Sequence, residues 1–200
     1  MLDESSKLIC ISGFSGSGKT EFLSCLSKKG CNTFSVDEYV HSIYKKNNIG
    51  YEIIKNNFGV EFVNDQEVDR PKLRDLILND NDQKLLLEKL MNKIIFNKLS
   101  ELKFKNELIF VELGTYIFFE NFFSSLFQKV IIIDSNGKSY KKNIFKKFSN
   151  IEKFSTKPVG NSKNPEKSNV FYSDFVVKND GNLMDLEASA TEIIKFFKPV

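Results

Sequence analysis

Residues 7–20 read Lys7-Leu8-Ile9-Cys10-Ile11-Ser12-Gly13-Phe14-Ser15-Gly16-Ser17-Gly18-Lys19-Thr20. A short apolar run ends in Gly13 and is followed by the pattern Gly-x-x-x-x-Gly-Lys-Thr, which opens an amphipathic stretch with Phe22, Leu23 and Leu26 at helical spacing. Strand, glycine-rich loop and helix in that order carry more weight than the string alone. The glycines allow successive backbone N–H groups to converge on an anion, and the helix N-terminus adds its partial positive charge. Gly13, Ser15, Gly16, Ser17, Gly18, Lys19 and Thr20 are therefore the expected nucleotide-binding residues. Lys19 is placed to reach the β- and γ-phosphates, and the Thr20 hydroxyl to ligate Mg²⁺. The alternative for this stretch is a glycine-rich turn with no ligand.

Outward from the loop, short apolar runs alternate with longer amphipathic ones, the pattern of an α/β domain with a parallel sheet. Strands are expected over 7–12, 31–36, 108–113, 130–134 and 175–178. Most are nearly continuous in apolar residues, as parallel strands covered on both faces require. Helices are expected over 19–29, 38–46, 51–57, 83–102, 118–127, 138–148 and 184–197. Between the second and third strands, residues 50–105 show helical signals only and read as a helical insertion into a core of 1–49 and 106–200. Residues 155–168 are rich in Lys, Asn, Pro and Ser and read as a mobile loop.

The chain has 200 residues, enough for one domain with an insertion and for a core that needs no disulfide or metal. Its charge of +3 is a small excess of 29 basic over 26 acidic groups. That is too little to argue for nucleic acid without a clustered basic face. Two arginines, Arg70 and Arg74, stand among the basic residues, and all the others are lysines. A site built from several planar guanidinium forks is therefore excluded. Three cysteines without metal-ligand spacing read as buried apolar residues in a reducing compartment. With an acidic N-terminus and no apolar run long enough to span a bilayer, a cytoplasmic protein, monomeric or weakly oligomeric, is expected.

Asp37 follows the second strand at the sheet edge where parallel sheets carry ligands. It reads as an acid for an acceptor hydroxyl, as an N-cap of the helix 38–46, or as both. From here the residues resemble the dephospho-coenzyme A kinase family. The loop Gly13–Thr20 stands where that family has Gly-Gly-Ile-Gly-Ser-Gly-Lys-Ser, and Ser35-Val36-Asp37 where it has Asp-Ala-Asp. Glu38-Tyr39-Val40-His41 is similar to its Glu-Ile-Ala-His, and Gly50 with Phe58-Gly59 keeps its glycine spacing. Asp69-Arg70 with Leu73 and Ile77 resembles its Asp-Arg pair leading a Leu-rich helix. Glu120-Asn121 resembles the end of its Pro-Leu-Leu-Phe-Glu, and Ser173 to Gly181 its Ala-Asp-x-Val-Ile-x-Asn-x-Gly. Departures are Ser35 for the first acid, Asn92-Lys93 for His-Pro, and Asn143 and Lys147 near the family's lid arginines. Lys141, Lys142, Lys146 and Lys147 supply charge there without the fork.

The resemblance implies a P-loop kinase fold: a five-stranded parallel sheet flanked by helices, with a helical acceptor-binding insertion and a lid. It implies ATP-dependent phosphorylation of the ribose 3′-hydroxyl of dephospho-CoA, with Mg²⁺, as the last step of coenzyme A synthesis. Lys19 and Asp37 are then the catalytic residues. Asp37, His41 and Arg70 meet the acceptor, and Asn179 and Gly181 line the adenine of ATP. The alternatives are an ion pair with Asp69 or Glu67 for Arg70, an ordinary surface role for His41, and a simple turn for Asp180-Gly181. His41, the single histidine, excludes histidine triads and multi-histidine metal sites. Glu112 lies in the third strand, where P-loop proteins keep an acid for metal-bound water, but alternation does not say which way it points. Two other readings stay open: a nucleoside or nucleotide kinase on the same scaffold, and a non-catalytic ATP-binding protein.

Overall fold

The computed structural model describes residues 7–13, 15–105, 107–114, 123, 125–135 and 174–197. The expected lid over 138–168 and its lysines, most of the helix expected over 118–127, and Glu120-Asn121 lie outside the described residues. The chain forms two compact units, one built on the sheet and one comprising Val36–Glu101.

The first unit holds β1 (Lys7–Ser12), α1 (Lys19–Lys28), β2 (Asn32–Ser35), β3 (Leu108–Glu112), β4 (Lys129–Asp134), β5 (Phe175–Lys178) and a final helix, α6 (Leu183–Phe197). All strand pairs are parallel, in the order β2-β3-β1-β4-β5. This is the five-stranded parallel sheet of a P-loop kinase fold. Four of the five strands are legible in the sequence because burial selects runs of Ile, Val, Leu and Phe, whereas β2, Asn32-Thr33-Phe34-Ser35, is an edge strand and only partly buried. Ile9, Ile11, Phe110, Ile131 and Ile133 pack with Phe22, Leu23, Cys25 and Leu26 of α1 and with Leu186, Ala190 and Ile193 of α6. Cys10, Cys25 and Cys31 are buried free thiols, and burial pushes the Cys10 thiol far above its ordinary value. β1 lies between β3, reached through the connection on one side, and β4 on the other. The order of connection reverses there, and the crevice at that switch point opens beyond the C-terminal end of β1. The glycine-rich loop leaves β1 at this point.

The second unit is helical: α2 (Val36–Ile43), α3 (Ile49–Phe58), a 3₁₀ turn over Val60–Phe62, α4 (Arg70–Asn79) and most of α5 (Asn81–Lys103). Ile43, Tyr44, Tyr51, Ile54, Phe62, Val68, Leu73, Leu87, Met91 and Ile94 form its core. The two glycines that carry part of the family spacing have structural reasons. A Cβ on Gly50 would lie 2.8 Å from the Ile43 carbonyl oxygen, so the start of α3 packs on the end of α2 only without a side chain. Gly59 ends α3 at φ +122°, where L side chains are strained.

The boundaries differ from expectation in instructive places. β2 stops at Ser35, and the fully buried Val36 belongs to α2, so its apolar character reports burial rather than strand pairing. Asp37 is consequently not the N-cap but the second residue of α2. That helix ends at Ile43 instead of residue 46 because the following chain turns to pair elsewhere. The Lys46 N–H donates to the Gln66 carbonyl at 2.7 Å, and Lys45 bridges to Glu67. α5 starts at Asn81, two residues before the expected start, because the Asp80 carboxylate accepts from the N–H groups of Asp82 and Gln83. No helix among the described residues is long and apolar enough to cross a membrane.

Candidate functional site

The loop is built by close approaches that forbid side chains. A Cβ on Gly13 would lie 2.5 Å from the Ile133 carbonyl oxygen of β4. Gly18, at φ +95°, directly precedes α1, and a Cβ there would lie 2.1 Å from the Asn179 carboxamide nitrogen. Gly16 is exposed, also at positive φ. Ser15 is exposed, and Ser17 is 2% exposed. The Ser12 and Ser17 hydroxyls are buried and have no hydrogen-bond partner among the described residues. Unsatisfied polar groups are rare in folded interiors, and their presence at the root of an anion-binding loop suits a polar ligand. Lys19 and Thr20 open α1, so all seven expected loop residues belong to one strand–loop–helix corner.

The structure settles the direction of Glu112. It ends β3 opposite Ile11 of β1 and Ser35 of β2, is 4% exposed, and accepts a hydrogen bond from the Thr20 hydroxyl at 2.8 Å. A buried carboxylate is costly unless it has polar partners, and the threonine hydroxyl provides one. The pair presents hard oxygen atoms, the donor chemistry that suits Mg²⁺, which takes few protein ligands and keeps several waters. No group of three or more His, Cys, Asp or Glu that could hold a metal occurs among the described residues. Two oxygen donors fit an ion that completes its shell with waters and phosphate oxygens.

Beyond β5, Asn179 and Gly181 form the expected turn. The Gly181 N–H donates to Asn179 Oδ1 at 3.0 Å, and the Asn179 N–H donates to the Asp134 carbonyl at 2.6 Å. The Asn179 carboxamide also donates to the Ser17 carbonyl at 2.9 Å, a contact across 162 residues that sequence reasoning missed. At the same sheet end, burial raises the Asp134 carboxyl above its ordinary value. The Asp180 charge adds to that shift and Lys178 opposes it.

Three more expected residues stand in the helical unit. Asp37 is exposed in the first turn of α2, where the helix N-terminus favours a carboxylate. His41 lies one turn further along the same helix, and both it and Arg70 are exposed. Arg70 is the first residue of α4, held there by the Asp69 cap, whose carboxylate accepts from the Lys72 N–H at 3.0 Å, and by Pro71. Asp69 is thus occupied as a cap. The Arg70 guanidinium hydrogen-bonds His41 Nε2. Arginine has no acceptor atom, so in this contact Nε2 is the acceptor. The structure therefore brings His41 and Arg70 together.

The dephospho-CoA kinase family model matches residues 7–185. The dephospho-CoA kinase of Mycoplasma genitalium is 36% identical over 130 residues, covering 64% of this chain and 66% of that protein, just under two thirds. That of Lactobacillus acidophilus is 24% identical over 190 residues, covering 94% of this chain and 95% of that protein. Among solved structures, the dephospho-CoA kinase from Campylobacter jejuni shares the fold with a TM-score of 0.60 at 20% identity, covering 98% of this chain and 99% of that one. The family model spans nearly the whole chain, and the chain belongs to the dephospho-CoA kinase family.

Proposed function

We propose that this chain transfers the γ-phosphoryl group of ATP to the ribose 3′-hydroxyl of dephospho-CoA, the last step of coenzyme A biosynthesis. The observation that carries the reading is the Thr20 hydroxyl bonded to the buried Glu112 carboxylate at the foot of a phosphate loop, inside a family match over residues 7–185. Transfer through a loose transition state asks little covalent chemistry of the protein, so positioning and charge do most of the work. The Gly13–Thr20 backbone binds the triphosphate, and Lys19 offsets charge on the γ-phosphoryl as the bond to the leaving oxygen lengthens. Thr20 and Glu112 would hold Mg²⁺, which when bound neutralises charge on the β- and γ-oxygens. Asp37 orients the acceptor hydroxyl and takes its proton. A carboxylate of ordinary basicity suffices, because in a loose transition state the proton leaves late.

Arg70, oriented by His41, meets the acceptor, and the helical unit is the acceptor-binding part of the enzyme. The protein acts in the cytoplasm on two small molecules, without nucleic acid and as a monomer or weak oligomer. An ATP-consumption assay with Mg²⁺ across dephospho-CoA, adenosine, other nucleosides and nucleoside monophosphates tests the assignment. Turnover with dephospho-CoA well above the others is expected. Turnover confined to a nucleoside or a nucleotide would replace the assignment, and no turnover with any of them would reduce the protein to a nucleotide binder.

A further inference from the structure

The Asn179 side chain is fixed at both ends. Its Oδ1 accepts from the Gly181 N–H at 3.0 Å, and its Nδ2 donates to the Ser17 carbonyl at 2.9 Å. One partner is a donor and the other an acceptor, so the carboxamide has a single satisfactory orientation. The Ser17 carbonyl and the Gly18 N–H belong to one peptide plane and, in a trans peptide, point in opposite directions. Holding the carbonyl against Asn179 therefore turns the Gly18 N–H to the other side. The approach is close enough that a Cβ on Gly18 would lie 2.1 Å from Asn179 Nδ2, so only glycine at 18 admits the tether.

We propose that Asn179 is a positioning residue for the phosphate loop. It holds the Ser17–Gly18 peptide in the orientation that presents the Gly18 N–H to the triphosphate, and through Gly181 it ties that loop to the turn after β5. The proposal rests on the reading that the loop binds ATP phosphates. It differs from a base contact in what it acts on: the tether serves any polyphosphate, whereas an adenine contact serves only ligands that carry the base.

Inorganic tripolyphosphate separates the two. Its affinity and that of ATP are measured by calorimetry for the full chain, for Asn179→Asp and for Asn179→Ala, with the Gly18 amide followed by NMR and unfolding midpoints recorded. Asn179→Asp keeps the acceptor for Gly181 but sets a carboxylate against the Ser17 carbonyl, whereas Asn179→Ala removes both bonds without adding charge. Each variant is expected to weaken the two ligands by the same factor, on the order of tenfold for loss of the bond to the Ser17 carbonyl that both variants break. Both are also expected to abolish the ligand-induced shift of the Gly18 amide. Weakened ATP with unchanged tripolyphosphate would overturn the proposal in favour of a base contact. A lowered midpoint with wild-type affinities would overturn it in favour of a purely structural turn. Failure of the unsubstituted protein to bind either ligand would instead remove the nucleotide reading beneath it, and the proposal with it.

Discussion

The Thr20 hydroxyl donates to the Glu112 carboxylate at 2.8 Å, joining the first turn of α1 to the end of β3. The bond sets the rotamer of the loop's last side chain, and with it the direction of the oxygen expected to face a metal. Glu112 is itself set by the sheet, since its register neighbours on both sides, Ile11 and Ser35, belong to paired strands. Substituting Glu112→Gln preserves volume and a hydrogen-bonding partner but removes the charge. Loss of a partner that orients a metal ligand costs ~10–100-fold in metal affinity or activity. The expected result is a rise of that size in the Mg²⁺ concentration giving half-maximal rate, read from a magnesium titration at saturating ATP. A titration superimposable on that of the unsubstituted enzyme would detach Glu112 from the metal.

Asp37 sits in the first turn of α2 with its side chain exposed. Asp37→Asn keeps the shape and the helix while removing the base, so it isolates the proposed role. Turnover with dephospho-CoA is expected to fall at least ~100-fold, the scale of a positioned general base, with ATP affinity within a factor of two. Equal losses in turnover and in ATP affinity would assign Asp37 to the nucleotide instead.

Most of the sheet was legible because buried parallel strands leave short, nearly continuous apolar runs. Helix ends were less legible, since they depend on partners distant in sequence. The Lys46 N–H finds the Gln66 carbonyl, and α2 stops short for that reason. α4 was invisible to periodicity because Leu73 is its one buried side chain, and it was expected only through the resemblance of Asp69-Arg70 to the family's helix start. The loop was read complete from its own motif. Its two supports were not: Glu112 lies in a strand buried on both faces, where alternation carries no direction. Asn179 was expected at the nucleotide through its motif, but nothing in that string points to the Ser17 carbonyl. Contacts across 92 and 162 residues are set by the order of strands, which no local pattern encodes.

The His41–Arg70 contact makes a prediction about substitution chemistry rather than charge alone. The Arg70 guanidinium donates to His41 Nε2 through one of its nitrogens. Arg70→Lys retains the charge but loses the fork. It is expected to raise the KM for dephospho-CoA about as much as Arg70→Ala, on the order of tenfold or more for a charge-assisted contact, with the KM for ATP unchanged. His41→Gln, which keeps an acceptor oxygen, should raise the acceptor KM less than His41→Ala does. Full activity in Arg70→Lys would show that charge without geometry is enough.

Asp134 ties stability to pH at the sheet end that carries Asn179. Burial raises its carboxyl, the neighbouring Asp180 charge adds to this, and Lys178 opposes it. The folded chain therefore holds this proton more tightly than the unfolded chain. Below the ordinary carboxylate value both states are protonated and nothing is lost. As pH rises through that value towards the raised one, the unfolded state ionises first and stability falls. Above the raised value the full penalty is present. Asp134→Asn removes the ionisation, so its unfolding midpoint should gain on the unsubstituted protein as pH rises from strongly acidic to neutral, and then hold a constant lead. Thermal unfolding across that range checks the sign directly. A lead that shrinks with rising pH would mean that Asp134 is stabilised in its charged form, by Lys178 outweighing both burial and Asp180.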